Sequence, residues 1–303
     1  MTSNPAASLE TVTDDVISRP PRSLWRDAYR RLIANRLARV GMVVTIFFLL
    51  MAVFVPIIFP YDARTDSDLM NQLLPPSLEH PMGTDEQGRD VMNRIAQGAR
   101  ASLGVGVSSV LVAVIIGALL GLVAGFIGKT TDLVVVFAMD TLLSFPGLLL
   151  AIAVVALVGP GLRNSLLAIT IVSIPIYARI ARSTVLSIKE LDYIKAANCV
   201  GASSSRTLFR HVLPNSLSPI LVASTLGIAG AILEIAALGF LGLGQQPPYP
   251  EWGAMLADSV KYLTSGAWWV LLFPGAAIML TVLGFNLLGD GLRDALDPRM
   301  RID

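Results

Sequence analysis

A chain of 303 residues in which 54% are hydrophobic and 15% charged is not composed like a soluble domain, where about a quarter of residues carry charge. Its formal net charge of +1 leaves no electrostatic footprint for nucleic acid. Cys199 is the single cysteine, so no internal disulfide forms, and the histidines His80 and His211 lie too far apart for a recognisable metal-ligand spacing.

Six apolar runs are long enough to cross a hydrocarbon core as helices, which takes about 20 residues. They cover residues 40–59, 103–127, 133–158, 166–186, 220–243 and 268–288. None alternates with a period of two, so a barrel is not predicted, and helices are what remains for a backbone that must satisfy itself in lipid. The expectation is an all-α polytopic membrane protein. It divides into a tail (1–39), a first span (40–59), an outer segment (60–102) and a five-helix core (103–303) containing a polar loop at 187–215. No cleavable signal is apparent ahead of residue 40, and the first run reads as a retained anchor.

The tail carries Arg19, Arg22, Arg26, Arg30, Arg31, Arg36 and Arg39, which the positive-inside rule places in the cytoplasm. Six crossings return the C-terminus, with Arg293, Arg299 and Arg301, to the same side. Arg179, Arg182, Lys189, Lys195, Arg206 and Arg210 put the 187–215 loop there too. Outside, Arg64, Arg89, Arg94 and Arg100 are offset by Asp62, Asp66, Asp68, Asp85, Glu86 and Asp90. In the tail, Ser23 can cap a short helix with Leu24, Trp25, Ala28, Tyr29 and Leu32 on one face and arginines on the other. Such a helix lies on anionic membrane lipid, as an anchor or as a regulatory element.

Gly117, Gly121 and Gly125 recur every four residues in the second span and predict close contact with another helix. Gly128-Lys129-Thr130 looks like the end of a phosphate-binding loop, but Val123 stands where the motif needs its first glycine, and no strand precedes it. Nucleotide binding is therefore not predicted. Asp140 and Glu234 are ionisable at membrane depth, where an unpaired charge costs at least about 2.5 kcal/mol on insertion scales. Glu234 reads as part of a translocation path or as half of a structural pair. Asp140, expected near its helix start, calls for hydration or a local arginine. Pro146, Pro175 and Pro274 predict kinks in spans three, four and six.

The polar loop between spans four and five predicts two short helices, about 189–200 and 205–212. Gly201 would end the first, and Ser203 or Ser204 would cap the second. Pro214 disfavours helix at Leu213 and would set the angle into span five. By pattern alone this is either a lever gripped by a soluble partner or an unpartnered surface helix.

This loop resembles the cytoplasmic signature of binding-protein-dependent ABC importer permeases. Ala196 and Ala197 match its two alanines, Gly201 its glycine, and Leu213 and Pro214 its ending, while Lys195 stands for a glutamate and His211 for an isoleucine. The runs His80-Pro-Met-Gly-Thr-Asp-Glu-Gln-Gly-Arg-Asp90, Gly98-Ala-Arg-Ala-Ser-Leu103, Ala237-Leu-Gly-Phe-Leu-Gly-Leu-Gly244, Gln246-Pro-Pro-Tyr-Pro-Glu-Trp-Gly253 and Gly289-Asp-Gly-Leu-Arg-Asp-Ala-Leu-Asp-Pro298 resemble the dipeptide/oligopeptide branch of that family. Within the branch, the nearest type is the second permease subunit of dipeptide importers.

The resemblance implies the type I importer permease architecture with six transmembrane helices and a cytoplasmic coupling helix, in a bacterial inner membrane with both termini cytoplasmic. It implies a second homologous permease, two ATPase subunits and an extracytoplasmic solute-binding protein as partners. ATP and magnesium would be bound by the ATPases, leaving no cofactor and no enzymatic residues on this chain. Asp192, Lys195, Ala196, Ala197, Gly201, Ala202 and Ser203 would then belong to the coupling helix, fixed to span five through Leu213 and Pro214. The outer loop 244–266 would meet the binding protein through Gln245, Gln246, Tyr249, Glu251 and Trp252. Dipeptides or short peptides are the expected cargo, with glutathione, haem or nickel as alternatives. A secondary transporter or a membrane assembly protein is the competing class, and co-purification with ATPases separates the two.

Overall fold

The computed structural model describes residues 24–59 and 66–296, so Arg19, Arg22, Ser23, Asp62, Arg64, Arg299 and Arg301 lie outside the described residues, as do the side chains of Leu24 and Trp25. The regular elements among the described residues are helices: α1 (Leu24–Ala34), α2 (Arg36–Ile58), α3 (Val91–Ile127), α4 (Lys129–Leu143), α5 (Gly147–Val158), α6 (Leu162–Lys189), α7 (Asp192–Cys199), α8 (Ser204–Thr207), α9 (Leu213–Phe240), α10 (Trp252–Ser259) and α11 (Trp269–Leu296). Five continuous helical stretches are long and apolar enough to cross a membrane, and α4 with α5 makes a sixth if that bent pair is counted as one span.

The third span is not the single kinked helix that its composition predicts. The chain breaks at Ser144-Phe145-Pro146, and α5 leaves at 88° to α4. Pro146 has no N–H to continue the ladder and disfavours helix at Phe145, while Ser144 turns its hydroxyl back onto the Thr141 carbonyl at 2.7 Å. Pro175 and Pro274, by contrast, sit inside the continuous α6 and α11. A second difference lies in α3, which starts at Val91 rather than near residue 103. Asp90 caps it, accepting from the Asn93 N–H at 2.8 Å. Its 37 residues reach about 55 Å, well beyond a hydrocarbon core.

Close packing of α3 against α6 organises the bundle, and the glycine row accounts for it. A Cβ on Gly117 would come within 2.6 Å of the Ile174 carbonyl oxygen, and one on Gly125 within 3.0 Å of that of Arg182. Gly121 lies against the Ala178 carbonyl in the same way. Lipid tails supply no hydrophobic drive between helices, so this intimacy of backbones is what holds the pair. The apolar interior has three parts. One near the N-terminal half of α3 gathers Phe48, Ile232, Trp252 and Trp269, and a central one gathers Ile169, Tyr177, Ile235 and Leu238. The third, at the opposite end, joins Leu122, Val185, Ile188, Ile194 and Val212 and seats α7. In α1, Ala28 is buried and Leu32 half-buried near α11, but Tyr29 is exposed rather than on the packed face.

Candidate functional site

At the α7 end, a short polar element is held by few anchors and leaves most of its surface free. Ile194 is 1% exposed and fills a pocket formed by Val185, Ile188 and Val212. Around it Asp192, Tyr193, Lys195 and Ala196 are exposed and Ala197 is half-buried. The Lys195 ammonium reaches only the Glu190 carboxylate, at 3.2 Å, with both side chains in the open. Gly201 has φ +83°, a left-handed conformation that lets the Ala202 N–H return to the Ala197 carbonyl at 3.0 Å. No atom lies within 4 Å of where its Cβ would be. Ser203 is the cap that opens α8, accepting from the Arg206 N–H, and Ala202 is half-buried behind it.

Leu213 and Pro214 differ from expectation. Leu213 is helical (φ −57°, ψ −49°), and the chain runs from α8 into α9 without a corner. The reason is a wide turn over Leu208–Val212, in which the Leu213 N–H bonds to the Leu208 carbonyl. That wide turn lets Pro214, which has no N–H to donate, follow without interrupting the helix. The segment is therefore a rigid extension of α9. Asn215 ties it to α7, donating to the Tyr193 hydroxyl at 3.2 Å, while the Tyr193 and His211 rings meet edge to face.

Sequence reading overlooked the apolar surface here. Val200 is 86% exposed and Phe209 65%, and Tyr193 and Leu191 are exposed as well. Exposed apolar side chains on a polar segment are the kind of surface that a protein contact covers. The signal was present as apolar residues lacking helical phase in an otherwise charged stretch. Also overlooked is the footing of α6. Lys189 donates to the last carbonyls of α3, those of Gly125 and Phe126, at 3.1 and 3.0 Å. Arg182 binds Asp132 of α4 through two nitrogens.

Of the two acids at membrane depth, Asp140 has the local arginine that was expected, Arg179 at 2.6 Å. It lies in the last turn of α4 rather than near a helix start, because the helix breaks just beyond it. Glu234 has no such partner. Its Oε2 is buried without a hydrogen bond, among helices α5, α6 and α9.

At the far end of the bundle, the predicted contact residues divide. Gln246 and Tyr249 are exposed and Gln245 half-buried. Glu251 and Trp252 are both 0% exposed, which corrects their reading as surface groups. Glu251 caps α10, accepting from the N–H groups of Gly253 and Ala254 at 2.8 and 2.9 Å and from the Ser102 hydroxyl at 3.0 Å. Burial pushes its carboxyl above the ordinary range, and those three donors oppose the shift. Trp252 donates to the Ile95 carbonyl at 2.9 Å and packs on Phe48. An acid immediately before a helix is a capping signal that the sequence did offer.

The 80–90 run is similarly internal. Asp85 accepts from Arg89 Nε at 2.8 Å and from Arg94 Nη1, all three side chains being nearly inaccessible. The Asp85 carboxylate also accepts from the Gln87 and Arg89 N–H groups at 2.8 and 3.0 Å. His80 Nδ1 lies 3.0 Å from Asp90, and Trp269 donates to the Thr84 carbonyl at 3.0 Å. These groups form a folded cap over α3 and α11.

Comparison with known proteins agrees with this arrangement. The N-terminal TM domain of oligopeptide transport permease C matches residues 23–76. A dipeptide transport system permease protein, DppC, of Alkalihalophilus pseudofirmus is 51% identical over 92% of this chain and 91% of its own length. A di/tripeptide transport system permease protein of Pseudomonas aeruginosa is 44% identical over 93% of each chain. A glutathione transport system permease protein, GsiD, of Pectobacterium atrosepticum is 43% identical over 97% of this chain and 96% of its own. Among solved structures, the fold matches a chain of the MetNI methionine ABC transporter in an inward-facing conformation, with a TM-score of 0.56 at 19% identity, over 68% of this chain and 98% of that one. With residues 117–302 matching the family described as binding-protein-dependent transport system inner membrane component, the chain belongs to that family of ABC importer permeases.

Proposed function

We propose that this chain is one of two permeases in an importer of dipeptides or short peptides, paired with a homologous permease and driven by two separate ATPases that bind ATP and magnesium. A solute-binding protein delivers cargo at the capped end, where Gln245, Gln246 and Tyr249 remain available. Both termini and α7 face the cytoplasm, in keeping with the arginine distribution. Relatives named for dipeptide and di/tripeptide transport support the cargo class. The similarity to a glutathione permease supports glutathione, itself a short peptide, as the second reading.

The observation that carries the mechanical part is the seating of α7. It is pinned through Ile194, tied through Asn215 to a helix continuous with α9, and surrounded by exposed Val200, Phe209 and Tyr193. A push on α7 passes through the Gly201 turn and the Tyr193–Asn215 contact into a segment that the wide turn keeps helical from Ser204 to Phe240. Asp192, Lys195, Ala196, Ala197, Gly201, Ala202 and Ser203 form the gripped surface. The lone cysteine, Cys199, is exposed on α7 and serves as a natural probe. In the assembled, transporting complex a short bifunctional thiol cross-linker on Cys199 is expected to capture an ATPase bearing a cysteine in its docking groove. Failure to capture it while peptide uptake continues would overturn the coupling role.

A further inference from the structure

The carboxyl of Glu234 is the one acid at membrane depth among the described residues that this chain does not pair with a base. The two arginines of α6 nearest the polar loop are committed elsewhere: Arg179 to Asp140 at 2.6 Å and Arg182 to Asp132 at 2.7 Å. Oε2 of Glu234 is out of contact with solvent and makes no hydrogen bond. Oε1 lies about the first residue of α5, 3.9 Å from where a Cβ on Gly147 would stand. That helix begins at the 88° break, and no side chain caps it. The N–H groups at the start of a helix carry partial positive charge, so the polar groups around the Glu234 carboxyl are backbone N–H groups and not a cation. Discontinuous membrane helices with such ends occur at transporter substrate sites.

The surface leading to Glu234 is equally unusual. Gly227, Gly230 and Glu234 fall on one face of α9, at helical spacing. The Tyr177 hydroxyl rests against Gly227, so tightly that a Cβ there would overlap it. Gly230 has none of this chain's atoms within 4 Å of its would-be Cβ. The result is open backbone at Gly230, between a phenol packed on Gly227 and a carboxyl without a cation. An ammonium group fits this chemistry: it has three donors, a positive charge and little bulk.

We propose that Glu234 holds the N-terminal ammonium of a peptide in transit through the membrane. The proposal rests on the peptide-importer reading and adds to it a cargo contact on the permease itself. Glu234 provides the counter-charge that the peptide loses on leaving the binding protein. Gly230, with no side chain and none of this chain's atoms near its would-be Cβ, lets the peptide backbone approach.

The test uses the full complex of both permeases and both ATPases in proteoliposomes, with the binding protein outside and ATP inside, and alanyl-alanine as cargo. Glu234→Gln is expected to lower uptake about tenfold or more, the cost of a lost charged hydrogen bond. Complex yield and the stimulation of ATP hydrolysis by loaded binding protein should stay near wild type, and Glu234→Asp should recover part of the uptake. Unchanged uptake in the Gln variant would overturn the proposal. So would failure of that variant to assemble, which would make Glu234 a structural partner of the second permease. If the unmodified complex hydrolyses ATP yet takes up no peptide, the peptide reading itself falls and this contact falls with it.

Discussion

The two polar ends of the bundle treat their motif residues in opposite ways. At the capped end, Asp85, Arg89, Arg94, Glu251 and Trp252 are turned inward and bonded to one another or to α3. At the α7 end, Lys195, Ala196, Gly201 and Ser203 are turned outward, and what is buried beneath them is ordinary apolar packing around Ile194. A run of distinctive residues thus has two physical meanings. One kind holds the chain's own backbone in place, and its loss is a folding defect. The other is turned outward, and under the coupling role proposed above its loss is a defect of communication. Substitutions at the two ends should separate these outcomes.

The largest effect is expected at Asp85. Two guanidinium groups with almost no solvent contact converge on its carboxylate. Asp85→Ala leaves Arg94 buried without a counter-charge and Arg89 with only the longer contact to Glu86, a loss of about 3–5 kcal/mol. The measurable consequence is a steep fall in detergent-extracted complex and in its thermal midpoint, before any question of transport arises. A stable, abundant Asp85→Ala complex would mean that the capped end is not held by its charges.

Gly201→Val should act the other way. Its left-handed backbone makes any side chain cost about 1–2 kcal/mol locally, but the surrounding space is open and no core contact is lost. The complex should assemble near the normal level. Peptide uptake should fall severely while basal ATP hydrolysis persists, because under the proposed coupling role the branched side chain projects into the contact with the ATPase. Parallel loss of assembly and uptake would place Gly201 with the folding residues and erase the contrast between the ends.

How much of this was legible beforehand follows from the range of the forces involved. The apolar runs and the glycine row could be read because they depend on solvent and on helical periodicity alone, and they led to the spans and to the α3–α6 contact. The polar loop could be read because charge excludes it from lipid. The burial of Glu251 and Trp252 could not, since it is fixed by Ser102 and Ile95, about 150 positions earlier in the chain. The break at Pro146 lay between these cases. Proline announces an interruption, but whether the helix bends or stops depends on tertiary packing, and here α5 leaves α4 at 88° with its first residue, Gly147, packed near Val172 and Glu234. Continuity through Leu213 was misjudged for a related reason, as a wide turn absorbs the proline only because the preceding residues can stay helical.

The finest distinction within the capped end concerns Glu86. It touches Arg89 at 3.4 Å, yet Arg89 already belongs to Asp85 at 2.8 Å. Burial, and then the nearby Asp85 charge, hold its carboxyl above the ordinary carboxylate range, against the pull of its backbone hydrogen bond and Arg94. A raised value in the folded state means that the native cap binds a proton more tightly than the unfolded chain does. Stability from this group is therefore present at low pH and declines as pH rises from the ordinary value of 4.5 through the raised one. Glu86→Gln should remove that part of the pH dependence and leave stability at neutral pH unchanged or slightly higher, since a contact of this kind contributes at most about 1 kcal/mol. Thermal midpoints of the two complexes between acidic and neutral pH provide the check. A clear loss at neutral pH in the Gln variant would show that Glu86 works as a charged partner of Arg89, alongside Asp85 rather than beneath it.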